Sequence, residues 1–372
     1  MKKLFQTNGK TGDLSIALIV AVLVIFGTIM IFSASYYPSG TNNYNPYYFL
    51  KRQLVWLAVS TAAMWFCAKV DYHFWARLWI IVPVICAILL VLVLTPIGEE
   101  AYGSVRWIRL GPITIMPGEL AKVGMIFFTT GYFSRHPKWS TNFWKGVLPI
   151  VGVAGVYGGL IMAQPNMSTA FTVVLIAGGM LLVAGIKWRH VAILFVSALA
   201  AGFAFIYMDP DGEYRKARLM SFRDPFADAL GNGWQVVQSL LALGTGGLTG
   251  LGLGNSVQKN LYLPFAQNDF ILAIIGEELG FVGIFCLVAV YLLLIWRGCH
   301  VAMNAADYTG MMLAAGIIMM VGIQVVVNIA VVTSCMPPTG IILPFISYGG
   351  NALLIFMAAM GILINISKSS NL

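Results

Sequence analysis

Long apolar runs, separated by short polar stretches, occupy most of this chain. Runs close to the roughly 20 residues that a helix needs to cross a bilayer fall at 14–33, 53–69, 78–96, 117–134, 147–163, 168–186, 189–208, 270–296, 309–332 and 343–366. They predict ten membrane helices. A helix satisfies its backbone hydrogen bonds within its own run, whereas strands of a membrane barrel would show short segments alternating apolar and polar residues. The pattern therefore predicts an all-α polytopic membrane protein, a single domain over 1–372 with a long outer loop at 209–269 between helices 7 and 8. Inside that loop, Trp234 to Leu243 mixes apolar and polar residues at near-helical spacing, which predicts a segment lying along the interface or dipping into the bundle.

Composition agrees with this pattern: 59% of residues are hydrophobic, 10% are charged and the mean hydropathy is +0.85 over 372 residues, values outside the range of water-soluble domains. Sorting the basic residues by loop places Lys2, Lys3, Lys10, Lys69, Arg77, Arg135, Lys138, Lys145, Lys187, Arg189, Arg297 and Lys368 on one side, against Lys51, Arg52, Arg106 and Arg109 in the opposite short loops. The basic side reads as cytoplasmic, with both termini on it, in a multi-pass protein of the bacterial cytoplasmic membrane. The net charge of +8 is mostly this bias and gives no reason to expect nucleic acid. The five cysteines lie in or beside predicted helices without ligand-like spacing, so neither disulfides nor zinc are expected. The apolar core after Met1-Lys2-Lys3 is too long for a signal peptide and is read as the first span. No repeat relates the two halves, which disfavours an alternating-access carrier.

Acids in such a chain are costly and point to function. Only 14 are present, and three fall in one stretch, Asp269, Glu277 and Glu278. Asp269 stands where the outer loop turns into a span. That is a helix N-cap position, and capping is compatible with taking a proton from a hydroxyl at the outer leaflet. Glu277 and Glu278 lie roughly 12 Å further along a helix, beyond the ~5–9.5 Å of a glycosidase carboxylate pair. They are read as a buried structural network. Arg106 precedes Pro117-Gly118-Glu119-Leu120-Ala121-Lys122, in which Pro117 suits a first helical position and Glu119 and Lys122 form an i,i+3 pair. Arg106 and Lys122 are also a candidate cationic seat for a pyrophosphate leaving group. The glycine-dense stretch Leu243 to Gly254 lacks a P-loop ending and reads as close backbone packing with a re-entrant turn. The Pro- and Gly-broken start of the last span, Pro337 to Asn351, reads as backbone bordering a cavity.

These motifs, in this order, resemble the family of shape, elongation, division and sporulation proteins represented by RodA, FtsW and SpoVE. The matching stretches are Phe32 to Ser35, Arg106 to Ile108 with Pro117 to Lys122, Gln164-Pro165, Arg223 to Pro225, Gly233 to Gln235, Gly254 to Lys259, Leu263-Pro264, Asp269 to Ile271, Glu277 to Gly280 and Leu343 to Gly350. The resemblance implies a peptidoglycan glycosyltransferase that polymerises lipid II outside the cytoplasmic membrane with a class B penicillin-binding protein as transpeptidase partner, among divisome or elongasome membrane proteins. Asp269 matches the family's essential aspartate. Arg106, Glu119, Lys122, Lys259 and Ser347, all in matching motifs, are assigned to substrate binding. The chain departs from the family's usual residues at Phe265, Gln267 and Asn268 before the aspartate, at Met116 and Gly118, at Asn166 and at Asn351.

The mechanism expected from these residues has Asp269 as general base, directly or through a divalent cation, Mg or Mn, with Asp269 as metal ligand. A helix N-terminus would lower its pKa, which favours metal assistance or a concerted transfer. The competing classes are a lipid II flippase, with Glu119, Lys122, Glu277 and Glu278 lining a polar route, and a non-catalytic scaffold of the division machinery.

Overall fold

The computed structural model describes residues 12–41, 45–101, 104–111, 113–194, 196–197, 222, 224–231 and 233–370. Lys2, Lys3, Lys10, Arg223, the segment 209–221 and most of the predicted span 189–208 lie outside these residues; residues 188–194 are helical. The chain is a mostly helical, polytopic membrane protein. Its described helices are α1 (Leu14–Thr41), α2 (Tyr48–Lys69), α3 (Tyr72–Arg77), α4 (Ile81–Val93), α5 (Pro117–Arg135), α6 (Leu148–Met162), α7 (Met167–Val183), α8 (Trp234–Gly246), α9 (Ile271–Met303), α10 (Tyr308–Val332) and α11 (Gly350–Ser369). Among the described residues, five helical stretches are long and apolar enough to cross a membrane: Leu14–Tyr36, Phe143–Met162, Ile271–Met303, Tyr308–Val332 and Gly350–Ser369. Ile81–Val93 and Met167–Val183 are shorter apolar helices.

Local chemistry sets the helix ends. Asn166 accepts the Thr169 N–H at 3.3 Å to open α7, and Asp307 accepts the Gly310 N–H at 2.9 Å to open α10. Pro117 stands in the first turn of α5 with Glu119, and Arg135 in the last, as the helix dipole favours. At the end that carries most of the basic loops, Asp13 joins three helices. Its carboxylate accepts from Arg297 of α9 at 2.6 and 3.1 Å, and its backbone N–H donates to Ser367 of α11 at 2.8 Å.

The structure departs from the hydropathy pattern in three places. The run 78–96 opens with a turn at 78–80 that follows α3, and it is helical only over α4, Ile81–Val93. The connection to α5 is not plain loop: Gly98–Ala101, Ser104–Leu110 and Ile113–Ile115 form an antiparallel sheet, β1-β2-β3, with Ile108 opposite Gly98 and Ile115. β2 and β3 carry the β-branched residues Val105, Ile108, Ile113, Thr114 and Ile115, and the alternation of β2 puts Arg106 on the same face as Ile108, which is buried. The run 270–296 is broken at Gly280, whose φ of 67° and ψ of −167° divide α9 into a first part ending at Leu279 and a longer second part. All eight residues from Ile271 to Glu278 are buried, so the first part of α9 is surrounded by protein on every side, whereas Phe281, Val282 and Phe285 beyond the break are exposed on the apolar surface.

The glycine-dense loop accounts for this break. Leu251 and Gly252 donate their N–H groups to the carbonyls of Glu277 and Glu278 at 3.0 Å each, and Phe281 and Val282 donate to Gly247 and Leu248 at 2.9 and 3.1 Å. A Cβ on Gly280 would lie 2.4 Å from the Gly250 nitrogen, and one on Gly250 would lie 2.2 Å from the Glu278 carbonyl oxygen. Backbone thus meets backbone where a membrane helix has lost its own ladder. Helix α8 packs beside this junction and dips into the bundle, with the Ser239 hydroxyl donating to the Val332 carbonyl at 2.8 Å.

Candidate functional site

Asp269 stands two residues before α9, at the mouth of the buried first part. The cap position is Phe270, and no side chain caps the helix, so the carboxylate of Asp269 is not engaged by the helix N–H groups. This corrects the capping expectation and the pKa direction drawn from it. Asp269 is half-buried, and burial pushes its carboxyl up to about 6; the nearby Arg106 guanidinium pulls in the opposite direction and the Glu119 carboxylate raises it further. Its own carbonyl accepts from Asn328 at 2.8 Å, and the same amide nitrogen donates to the Ile341 carbonyl at 2.6 Å. One side-chain amide therefore ties the aspartate to the chain leading into α11. Gly340 lies behind the carboxylate, where a Cβ would stand 3.2 Å from Asp269 Oδ2.

Lys122, one turn into α5, is buried and donates to Glu119 at 2.6 Å and to Gln324 at 2.9 Å. Its charge is compensated inside the bundle, yet Glu119 still acts electrostatically on Asp269, which places this pair beside the aspartate. Arg106 reaches the same region from β2 and donates to the Pro165 carbonyl at the turn into α7. Asp269, Arg106, Glu119 and Lys122 are thus gathered at one site from three segments of chain: the residues before α9, β2 and the first turns of α5. Gln324 and Asn328 are neighbours of this group that the sequence reading missed. They stand at i,i+4 on α10, so they share a face, and both are buried. After Tyr308 and Thr309 in its first turn, they are the only polar side chains in the 25 residues of α10, a signal that could have found them.

Lys259 and Ser347 are placed differently. The Lys259 ammonium donates to Glu278 at 2.8 Å, to Ser33 at 3.2 Å and to the Gly254 carbonyl at 2.6 Å. An ammonium has three N–H donors, so these contacts occupy all three and place Lys259 in the buried network with Glu278 and Ser33. The Ser347 hydroxyl accepts the Leu343 N–H at 2.8 Å and holds the turn before α11; Tyr348 donates its N–H to the Gln267 carbonyl at 2.9 Å, bringing that turn against the segment preceding Asp269. Glu277 accepts from Ser256 at 2.5 Å and from the Val257 N–H at 3.0 Å, while Glu278 accepts from Ser33 at 2.7 and 2.8 Å. Both glutamates are fully buried.

The departures from the family's usual residues also have places. Asn166 caps α7, and its amide nitrogen would lie 3.8 Å from a Cβ on Gly118, so two of the departures are neighbours at the junction of α5 and α7. Asn351 donates to the Thr114 carbonyl and fastens α11 to β3. Among the described residues, no group of three or more His, Cys, Asp or Glu is arranged to hold a metal ion.

The profile of the FtsW, RodA and SpoVE family, described as cell cycle protein, matches residues 13–372. The chain belongs to this family. It is 40% identical over 367 residues to stage V sporulation protein E of Bacillus subtilis strain 168, covering 98% of this chain and 100% of that protein. It is 39% identical over 361 residues to a probable peptidoglycan glycosyltransferase FtsW of Trichlorobacter lovleyi, covering 97% and 94%. Among solved structures, a chain from work on the structural coordination of polymerization and crosslinking by a peptidoglycan synthase complex is similar with a TM-score of 0.79 and 28% identity over 96% of this chain and 97% of that one. The crystal structure of Thermus thermophilus RodA is similar with a TM-score of 0.70 and 25% identity, over 97% and 98%. Family membership and the array of long apolar helices make the protein a multi-pass component of the cytoplasmic membrane.

Proposed function

We propose that this FtsW/RodA/SpoVE family protein is a peptidoglycan glycosyltransferase that extends glycan strands from lipid II, with Asp269 as its general base. The observation that carries the assignment is the ionisable carboxylate of Asp269, uncapped and raised by burial to about 6, between Arg106 and the Glu119–Lys122 pair. A base of this strength is largely ionised at neutral pH yet binds a proton more readily than an ordinary surface aspartate. The names of the FtsW relatives and the synthase-complex neighbour support the same reaction class.

In the proposed step the 4-hydroxyl oxygen of one lipid II attacks C1 of the donor sugar. The C1–oxygen bond to the lipid pyrophosphate breaks with inversion, the hydroxyl proton passes to Asp269, and the pyrophosphate leaves with the electron pair. No acid partner is required, because pyrophosphate departs unprotonated when cations hold its charge. Arg106 is the cation in place to do so, while Lys122 keeps Glu119 neutralised and adds positive potential. Asp269 is the carboxylate that would hold a Mg or Mn ion together with substrate phosphates, a mode suited to an ion that takes only one or two carboxylates. A bound ion supplies charge neutralisation at the pyrophosphate. A class B penicillin-binding protein is the proposed partner, since the neighbouring structure comes from a complex that couples polymerization with crosslinking.

The test is lipid II polymerisation by purified protein in liposomes, with chain growth and head-group translocation scored separately. Asp269→Asn is expected to abolish chain growth without lowering the thermal melt. Wild-type polymerisation by that variant overturns the assignment, and translocation without polymerisation in the native protein replaces it with the flippase reading.

A further inference from the structure

The site described above uses the face of α10 that carries Gln324 and Asn328. On the opposite face, Val326 is exposed among the described residues. At about 100° per residue, Val326 is turned roughly 200° from Asn328, and it borders an entirely different feature: a groove of about 620 Å³ between α7, α9 and α10. Its lining is apolar and sulfur-rich, with Met303, Met311 and Met319 among the residues that form it. From Met311 to Val326 the groove follows α10 for about 22 Å, longer than the ~15 Å that the chains of one leaflet fill in a 30 Å hydrocarbon core.

Charge is arranged at one end of this groove. Val183 lines it, and the chain four residues further on reads Lys187-Trp188-Arg189, all three exposed, Trp188 at 78%. No acid occurs between Ala184 and Val191. Asp307, the acid in the turn from α9 to α10, is engaged by the Tyr72 hydroxyl at 2.8 Å, by the Gly310 N–H and by His73 at 3.1 Å. A tryptophan flanked by two cations at the end of an apolar groove matches the division of a membrane lipid into head group and chain, with indole at the boundary.

We infer that this face binds one anionic phospholipid of the surrounding leaflet, with its phosphate on Lys187 and Arg189 and one acyl chain in the α7–α9–α10 groove. The inference is independent of the reaction proposed for Asp269, because the groove lies on the reverse of α10 from that site. Methionine side chains suit such an occupant, being flexible enough to fit acyl chains of differing shape. Gly322 lines the groove, and a Cβ there meets only Ile295 at 3.6 Å, so a larger side chain can enter the groove without pressing on backbone.

The full-length protein in nanodiscs of mixed phosphatidylglycerol and phosphatidylcholine, released gently for native mass spectrometry, tests this. Phosphatidylglycerol is expected to be retained about tenfold over phosphatidylcholine, a difference of ~1.4 kcal/mol. Lys187→Gln with Arg189→Gln is expected to remove the preference, and Gly322→Leu to reduce retention of both lipids. A second readout uses Cys299, which lines the groove and is exposed, in a background with Cys286→Ser and Cys335→Ser. Its alkylation by N-ethylmaleimide is expected to slow when phosphatidylglycerol is added to protein in lipid-free detergent. Equal retention of both lipids by the native protein, or a preference that survives the double substitution, overturns the inference. So does protection of Cys299 that is complete without lipid, which assigns the groove to the protein's own chain.

Discussion

Asp269 can accept a proton only while it is ionised, and its surroundings fix the pH at which that begins. With the carboxyl raised to about 6, kcat/KM for chain growth is expected to climb through about pH 6 and level off above it, the protonated form below being unable to act as base. Arg106 opposes the rise, so Arg106→Gln is expected to move the inflection upward as well as to slow the reaction; a pH–rate profile with an unmoved inflection would separate Arg106 from the aspartate. Gly340 tests placement rather than charge. A Cβ 3.2 Å from Oδ2 is tighter than ordinary contact and must displace the carboxylate by a few tenths of an ångström. Since a misplacement of about 1 Å can reduce rate ~100-fold, Gly340→Ala is expected to lose roughly tenfold in kcat with an unchanged thermal melt. Asp269 was legible in the sequence because an acid at the edge of an apolar run is rare. Gln324 and Asn328 were not singled out because uncharged amides raise no alarm in a hydropathy pattern; only the bonds from Asn328 to the carbonyls of Asp269 and Ile341 give it a role.

Helix α9 carries the aspartate at its mouth and a break eleven residues after it, at Gly280, and the two depend on one another through the buried first part. The glycine loop was legible as a packing element, but its partner was not. Hydropathy continues without interruption through Gly280, and only the bonds from 251 and 252 to the carbonyls of 277 and 278, and from 281 and 282 to those of 247 and 248, reveal the break. A side chain at Gly280 meets a positive-φ, extended-ψ backbone that is essentially restricted to glycine and costs about 1–3 kcal/mol, as well as the Gly250 nitrogen at 2.4 Å. Gly280→Ala is therefore expected to prevent recovery of monodisperse protein from detergent, whereas Gly152→Ala in α6, with nothing within 4 Å of its Cβ, is expected to be recovered normally. The pair Lys259–Glu278 anchors the same element to Ser33 of α1. Removing one buried partner leaves the other charge uncompensated, at a cost of ~3–5 kcal/mol. Lys259→Met is expected to lower the melting temperature strongly, and adding Glu278→Leu to restore part of it; a double variant no more stable than the single one would show that the pair is not the anchor.

At the scale of the whole molecule, the apolar runs announced most of the helices, because length and hydrophobicity alone decide what spans a membrane. The sheet from Gly98 to Ile115 escaped that reading because strands of three to seven residues leave little periodicity between two spans. The clasp at Asp13 escaped it too, since α1, α9 and α11 meet there from sites hundreds of residues apart. Asp13 and Asp269 stand toward opposite ends of α9, and they give folding opposite dependences on pH. At Asp13, burial pushes the carboxyl up, but the bonds from Ser15 and Arg297 outweigh it and hold the group below its ordinary value. The folded state then binds fewer protons than the unfolded one, so Asp13 contributes stability above the ordinary aspartate pKa of about 3.9, and this is lost as pH falls through its lower folded value. At Asp269 the folded value of about 6 lies above the unfolded one. Its contribution is present at acid pH and is lost as pH rises from about 3.9 towards 6. Thermal melts between pH 3 and 8 are therefore expected to show Asp269→Asn removing a decline between about pH 4 and 6, and Asp13→Asn lowering the melting temperature at neutral pH while flattening the acid limb. If the decline between pH 4 and 6 persists in Asp269→Asn, the carboxylate is ionised as easily in the bundle as in the unfolded chain, and the case for Asp269 as a burial-tuned base fails with it.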